Sequence, residues 1–252
     1  RQQFLESLLG QADGFGITGD IGESPGIIGH LEEMEEILRK PIYFVLGNHD
    51  FYRGSIDQTR CEVARLAAES EYLVYLTATS VVELTAATAL IGHDGWADAR
   101  LGDYERSEVF LNDYVAIREL RKWKGEFSLD KPALEEALNA LGDEAAHHLE
   151  HALTEATASH SSVIALTHVP PFKEAAWHEG RHSDDNYLPH FACKATGDAF
   201  RRVMVTQPRA RLLVLCGHTH GQGEVQISEN IRVITGGAEY GNPVVQQVFD
   251  IE

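Results

Sequence analysis

Four short strand-like runs in this chain each stop at a residue of a kind that binds metals or moves protons, and that repetition limits the possible folds. Residues 14–18 lead into Gly19-Asp20, residues 42–46 into Gly47-Asn48-His49-Asp50, residues 163–166 into Thr167-His168, and residues 212–215 into Gly217-His218-Thr219-His220. Short runs rich in β-branched and aromatic residues, closed by turn residues, read as buried strands. Helical patterns fall between them, at residues 4–9, 27–39, 58–69 and 196–205. The longest follows Pro132, where Leu134, Leu138, Leu141, Ala145, Leu149 and Leu153 recur at three- and four-residue spacing and predict one buried stripe on one helix. Strands alternating with helices favour an α/β architecture with layered sheets. In open α/β sheets ligands bind beyond the carboxyl ends of the strands, so the four endings can converge on one site.

The rest of the chain fills in around this frame. Strands are expected near residues 73–76, 80–85 and 88–91, and residues 107–155 read as mostly helical. A loop rich in His, Asp and Pro spans about residues 170–189, and residues 225–227, 231–234 and 244–249 are expected to close the chain as antiparallel strands. There is no repeat of fixed period and no low-complexity linker, so residues 1–252 are expected to form one domain.

Carboxylate, amide oxygen and imidazole together suit Mn, Fe or Zn rather than calcium, which takes oxygen ligands alone. The set lacks thiolates, which argues against a structural zinc site. Alone, Gly-Asp is usually a turn and a lone histidine after a strand is usually not a ligand, whereas Gly47-Asn48-His49-Asp50 and the pair His218 and His220 are stronger signals. In order, and all at strand ends, they reinforce one another.

This ordered series, from Gly19-Asp20 through Gly47-Asn48-His49-Asp50 and His168 to Gly217-His218-Thr219-His220, resembles that of the calcineurin-like metallophosphoesterases. The resemblance implies a four-layer α/β/β/α sandwich with a helical insertion, here at about residues 107–159, that caps or flanks the site. It implies an enzyme that hydrolyses phosphomonoesters or phosphodiesters with two divalent metal ions and a hydroxide bridging them. Asp20 would bridge both ions, Asn48, His168 and His218 would bind the second, and His220 would bind the first. His49 would protonate the leaving group or stabilise the phosphoryl oxygens, with Asp50 orienting it. The family also carries an Asp-x-His motif at the end of a strand ahead of the 4–9 helix. No such motif precedes Asp20, and the expectation is that this strand lies upstream of Arg1. A scaffold that keeps the fold without its metals is the alternative, and that missing motif is what supports it.

Other features bound the function. The formal net charge of −18 argues against a nucleic-acid polymer as partner, since such binding rests on a basic footprint, and leaves a small phosphate ester as the expected substrate. Bound metal ions would dominate the local field and accept an anion. Three widely spaced cysteines, Cys61, Cys193 and Cys216, fit reduced thiols in the cytoplasm, and no apolar run is long enough to span a bilayer. His147, Glu150 and His151 match an inverted zincin pattern, His-x-x-Glu-His, on the long helix, but no third ligand accompanies them. His93, after a strand, is the best candidate for lining the pocket. His178, His182 and His190 are weaker ones, and Trp177 with His178 could form a lid.

Overall fold

The computed structural model describes residues 1–125 and 128–251. In chain order the elements are α1 (Gln2–Ser7), β1 (Phe15–Ile17), α2 (Ile27–Leu38), β2 (Ile42–Phe44), α3 (Ile56–Glu69), β3 (Leu73–Tyr75), β4 (Val82–Glu83), β5 (Thr88–His93) and α4 (Asp113–Ala116). They continue with β6 (Trp123–Lys124), β7 (Ser128–Leu129), α5 (Lys131–Thr157), β8 (Ser162–Thr167), β9 (Trp177–His178), β10 (Arg181–His182), α6 (Leu188–Phe191), α7 (Lys194–Thr206), β11 (Arg211–Cys216), β12 (Gly223–Ser228) and β13 (Ile231–Thr235). The helix starts are written locally. The Ser55 side chain accepts from Gln58 N–H to cap α3, and Asp130 accepts from Ala133 N–H to cap α5 just ahead of Pro132.

Two sheets carry the site. β1, β2 and β3 form a parallel three-stranded sheet, with Ile17 beside Phe44 and Phe44 beside Tyr75. The larger sheet runs in the order β12-β13-β11-β8-β5-β4; its four inner strands are parallel and its two edge strands antiparallel to their neighbours. Side chains alternate across a strand, and here the alternation sets the layers. On β8, Val163 and Ala165 face Leu149, Leu153 and Ala156 of α5 and Phe200 and Met204 of α7. Ile164 and Leu166 face the other way and pack with Val45, Tyr43 and Val74 of the small sheet. The outer face of the small sheet buries Ile42, Phe44 and Leu73 against Leu5, Leu31 and Val63 of α1, α2 and α3. The order is therefore helix, sheet, sheet, helix, the expected four-layer sandwich.

Two stretches differ from expectation. Residues 107–125 hold only the single turn α4, a 3-10 turn at Arg118–Leu120 and the start of the β6–β7 hairpin; residues 126 and 127 of that stretch lie outside the described residues. Here Lys131 Nζ donates to the carbonyls of Tyr104, Glu105 and Ser107 at 3.2, 3.0 and 2.7 Å, so these oxygens turn to the lysine instead of to a following helical turn. The helix that does form, α5, lies in the outer layer against α7 and β5. Residues 244–249 form no strand: Val244, Val245 and Val248 stay 55%, 49% and 66% exposed, and no described strand pairs with them. β-Branched residues make a strand only where a sheet edge and an apolar layer receive them. Among the described residues no helix is long and apolar enough to cross a membrane.

Candidate metal centre

The loops after β1, β2, β8 and β11 meet at the carboxyl ends of the two sheets. Glycine makes the approach possible. A Cβ on Gly19, whose φ is +99°, would sit 2.5 Å from Gly47 N and 2.7 Å from His168 Nδ1; one on Gly47 would sit 2.2 Å from Asp20 Oδ1. Three of the expected ligands adopt left-handed backbone, Asp20 at φ 56°, His218 at 68° and His220 at 59°. Such conformations cost about 1–3 kcal/mol each and persist where the surroundings hold them, commonly at functional sites.

Asp20, Asn48, His168 and His218 are brought together. His168 Nε2 lies 2.9 Å from Asn48 Oδ1 and 3.4 Å from Asp20 Oδ1, and His218 Nδ1 lies 3.1 Å from Asn48 Oδ1. The far nitrogen of each imidazole faces a backbone carbonyl: His168 Nδ1 is 2.7 Å from Thr18 O, and His218 Nε2 is 2.9 Å from His190 O. A carbonyl accepts only, so those far nitrogens carry the protons and, in a neutral ring, the near nitrogens are lone pairs. The amide is fixed too, because Asn48 Nδ2 donates to Asp113 Oδ1 at 2.8 Å and leaves Oδ1 to the histidines. A carboxylate oxygen, an amide oxygen and two imidazole nitrogens thus converge as acceptors with no donor among them. A divalent cation resolves that arrangement, and oxygen with imidazole nitrogen is the ligand chemistry of Mn, Fe and Zn. No three His, Cys, Asp or Glu side chains among the described residues are disposed to hold an ion by themselves; this cluster is completed by the amide oxygen of Asn48.

The electrostatics agree. Burial, then the neighbouring His168, holds the His218 imidazole down to about 3, and burial lowers that of His220. Neutral imidazole is the ligating form. Burial pushes the Asp20 carboxyl upward, but His168, His49, His218 and the His49 N–H outweigh it, leaving Asp20 below its ordinary value.

His220 stands at the rim. Its ring lies 4.9 Å from that of Tyr240, which also stands 5.6 Å from the His49 ring with its hydroxyl 3.4 Å from His49 Nε2. The backbone N–H of His49 donates to Asp20 Oδ1 at 3.1 Å, and its ring packs 4.4 Å from Tyr52. Asp50 does not touch the His49 ring. Its oxygens accept from Gly22 N–H at 2.7 Å and Gly47 N–H at 2.8 Å, tying the Asp20 loop to the Asn48 loop. Fully buried there, its carboxyl is pushed well above the ordinary range by desolvation and then by Asp20. The expected role is to orient His49; the hydrogen bonds described for Asp50 go to backbone N–H groups instead.

His93 is also placed otherwise than expected. It shares the face of β5 that carries Ala89 and Ile91, which pack under α5. The ring is 2% exposed, 3.8 Å from Glu144 Oε1 and 5.1 Å from the His148 ring, so it does not line the pocket. Of the weaker candidates, His178 Nδ1 lies 3.1 Å from Thr219 O, the His182 ring lies tilted 3.9 Å from that of Trp177, and the buried His190 ring contacts Ser107 and Tyr114. Glu150 of the zincin-like pattern accepts from Arg202 Nε and Nη2 at 3.0 and 2.7 Å, with His147 and His151 exposed. Sequence reasoning missed Asp113 and Tyr52, whose hydroxyl donates to Asp113 Oδ1 at 2.7 Å. Asp113 falls in the stretch expected to be mostly helical, and no spacing links it to Asn48.

In comparison with known proteins, the family model described as calcineurin-like phosphoesterase matches residues 2–222. No curated protein matches. Among solved structures, a dimetal phosphatase from Danio rerio superposes with a TM-score of 0.54 at 14% identity, over 94% of this chain and 77% of that one, which is a likeness of fold.

Proposed function

The chain belongs to the calcineurin-like phosphoesterase family, and from that premise we propose that it hydrolyses phosphomonoesters or phosphodiesters with divalent metal ions. The observation that supports this most is the acceptor-only cluster of Asp20, Asn48, His168 and His218, with the proton-bearing nitrogen of each imidazole turned outward. These four would hold one ion. Asp20 and His220 are what the described residues offer a second, and the dimetal phosphatase of similar fold supports a dinuclear form. Metal ions bound there would neutralise charge on the phosphoryl oxygens and lower the pKa of water enough to supply a nucleophile near neutral pH.

The protein's own part is placement and proton supply. Asp20 would contribute a carboxylate to both ions. Asp50 locks the loops that carry Asp20 and Asn48. His49, at the rim with Nε2 toward the Tyr240 hydroxyl, is the proton donor for the departing oxygen. The charge of −18 favours a small ester over a polymer, and three free cysteines support a reducing compartment such as the cytoplasm.

The test is hydrolysis of bis-p-nitrophenyl phosphate and p-nitrophenyl phosphate by chelator-stripped protein resupplied with Mn²⁺, beside Asp20→Asn. Metal-dependent turnover that vanishes in the variant supports the reading. Absence of both turnover and bound metal would favour a scaffold that keeps the fold alone.

A further inference from the structure

Asn48 is the one expected ligand whose side chain can present either of two groups. An amide turned by half a rotation would offer NH₂ where a cation needs oxygen, with little change in shape. Something must choose, and the structure shows what does. Asp113, on the first turn of α4, is 2% exposed and accepts from Asn48 Nδ2 at 2.8 Å across 65 residues of sequence. A carboxylate accepts only, so it holds the amide nitrogen and leaves Asn48 Oδ1 to His168 and His218. The same oxygen of Asp113 accepts from the Tyr52 hydroxyl at 2.7 Å, and the Tyr52 ring packs 4.4 Å from that of His49. Asp113, Asn48, His168 and His218 also border one small cavity of about 10 Å³, and Asp113 Oδ1 meets Asn48 at the amide nitrogen, away from the oxygen that faces the histidines.

We propose that Asp113 is a positioning residue for the metal centre, which sets the orientation of the Asn48 amide and so the affinity for the ion shared by Asn48, His168 and His218. The inference rests on the metal-site reading above. Partners that orient a ligand from behind typically govern about 10–100-fold in metal affinity or activity.

The experiment follows Mn²⁺ binding, by the electron paramagnetic resonance signal of the free ion, together with Mn²⁺-dependent hydrolysis of bis-p-nitrophenyl phosphate. The proteins are wild type, Asp113→Asn, Asn48→Asp and the reciprocal swap Asn48→Asp/Asp113→Asn. Asp113→Asn should bind Mn²⁺ about 10–100-fold more weakly, with kcat at saturating Mn²⁺ close to wild type. Asn48→Asp alone sets two buried carboxylates against each other. The swap restores the bond with donor and acceptor exchanged, and should bind Mn²⁺ at least about tenfold more tightly than Asn48→Asp, a non-additivity that a general structural role would not produce. If Asp113→Asn does not fold, the swap against Asn48→Asp still decides. Wild-type affinity in Asp113→Asn, or a swap no tighter than Asn48→Asp, overturns the proposal while leaving the metal centre intact. A wild-type protein that binds no Mn²⁺ overturns the metal centre itself, and the two failures are distinct.

Discussion

Gly47→Ala isolates how closely the metal loops must approach. Gly47 does not need positive φ, so alanine adds a methyl group without backbone strain. That methyl carbon would lie 2.2 Å from Asp20 Oδ1, 2.6 Å from Asp20 N and 2.6 Å from His168 Cε1, where real contacts of this kind stay beyond 3.0 Å. One loop must therefore give way by at least about 0.8 Å, and all three obstacles belong to the expected ligands Asp20 and His168. Overpacking of this kind costs about 1–3 kcal/mol. At the roughly 2–4 °C per kcal/mol usual for a chain of this size, the metal-free protein should melt lower by about 2–12 °C. The effect on the site should be larger, since misplacing reacting groups by 1 Å can cost about 10²-fold. Calorimetry of the stripped protein gives the first number, and Mn²⁺-dependent hydrolysis of bis-p-nitrophenyl phosphate the second. Wild-type turnover and Mn²⁺ affinity in Gly47→Ala would refute the reasoning, because they would mean that the packing of Asp20 against His168 does not set the site.

Three further outcomes follow from neighbouring parts of the fold. His93→Ala should leave Mn²⁺ affinity and hydrolysis unchanged while lowering stability, since the ring packs beneath α5; a raised KM would restore it to the pocket. Asp94 is fully buried and accepts from Leu46 N–H, Thr77, Tyr75 and Arg60; Asp94→Ala should cost about 3 kcal/mol or more in urea denaturation, because it strands the mostly buried Arg60 with Glu144 alone. Burial, then His93, holds the His148 imidazole down to about 4. The unfolded chain titrates near 6.5 and takes up the extra proton first, so stability should fall as pH drops from about 6.5 toward about 4, with no contribution from this group to the slope above that window. His148→Gln should flatten that slope in pH-dependent denaturation, and an unchanged slope would place its origin elsewhere.

The strands that carry the site and the polar residues at their ends were legible because local signals carry them. Apolar runs ending in Gly-Asp, Gly-Asn-His-Asp, Thr-His and Gly-His-Thr-His are written in contiguous residues, and parallel strands with aligned ends bring their following loops to one edge. The stripe from Leu134 to Leu153 likewise forecast α5, since a helix buries what its own period aligns. What the chain could not announce is which of several partners a polar group takes once the layers close. Asp50 follows His49 directly, yet its oxygens go to two backbone N–H groups, one of them 28 residues away. His93 ends its strand as His168 does, yet β5 turns it under a helix. Asp113 lies in a stretch expected to be mostly helical until the fold sets it against Asn48, and residues 244–249 have the apolar content of a strand without a described sheet edge to join. Composition and spacing determined which groups can bind a cation and that they gather at one edge. Only the tertiary packing, which makes every buried donor and acceptor compete for a partner, decided which of them converge as acceptors and which hold those in place.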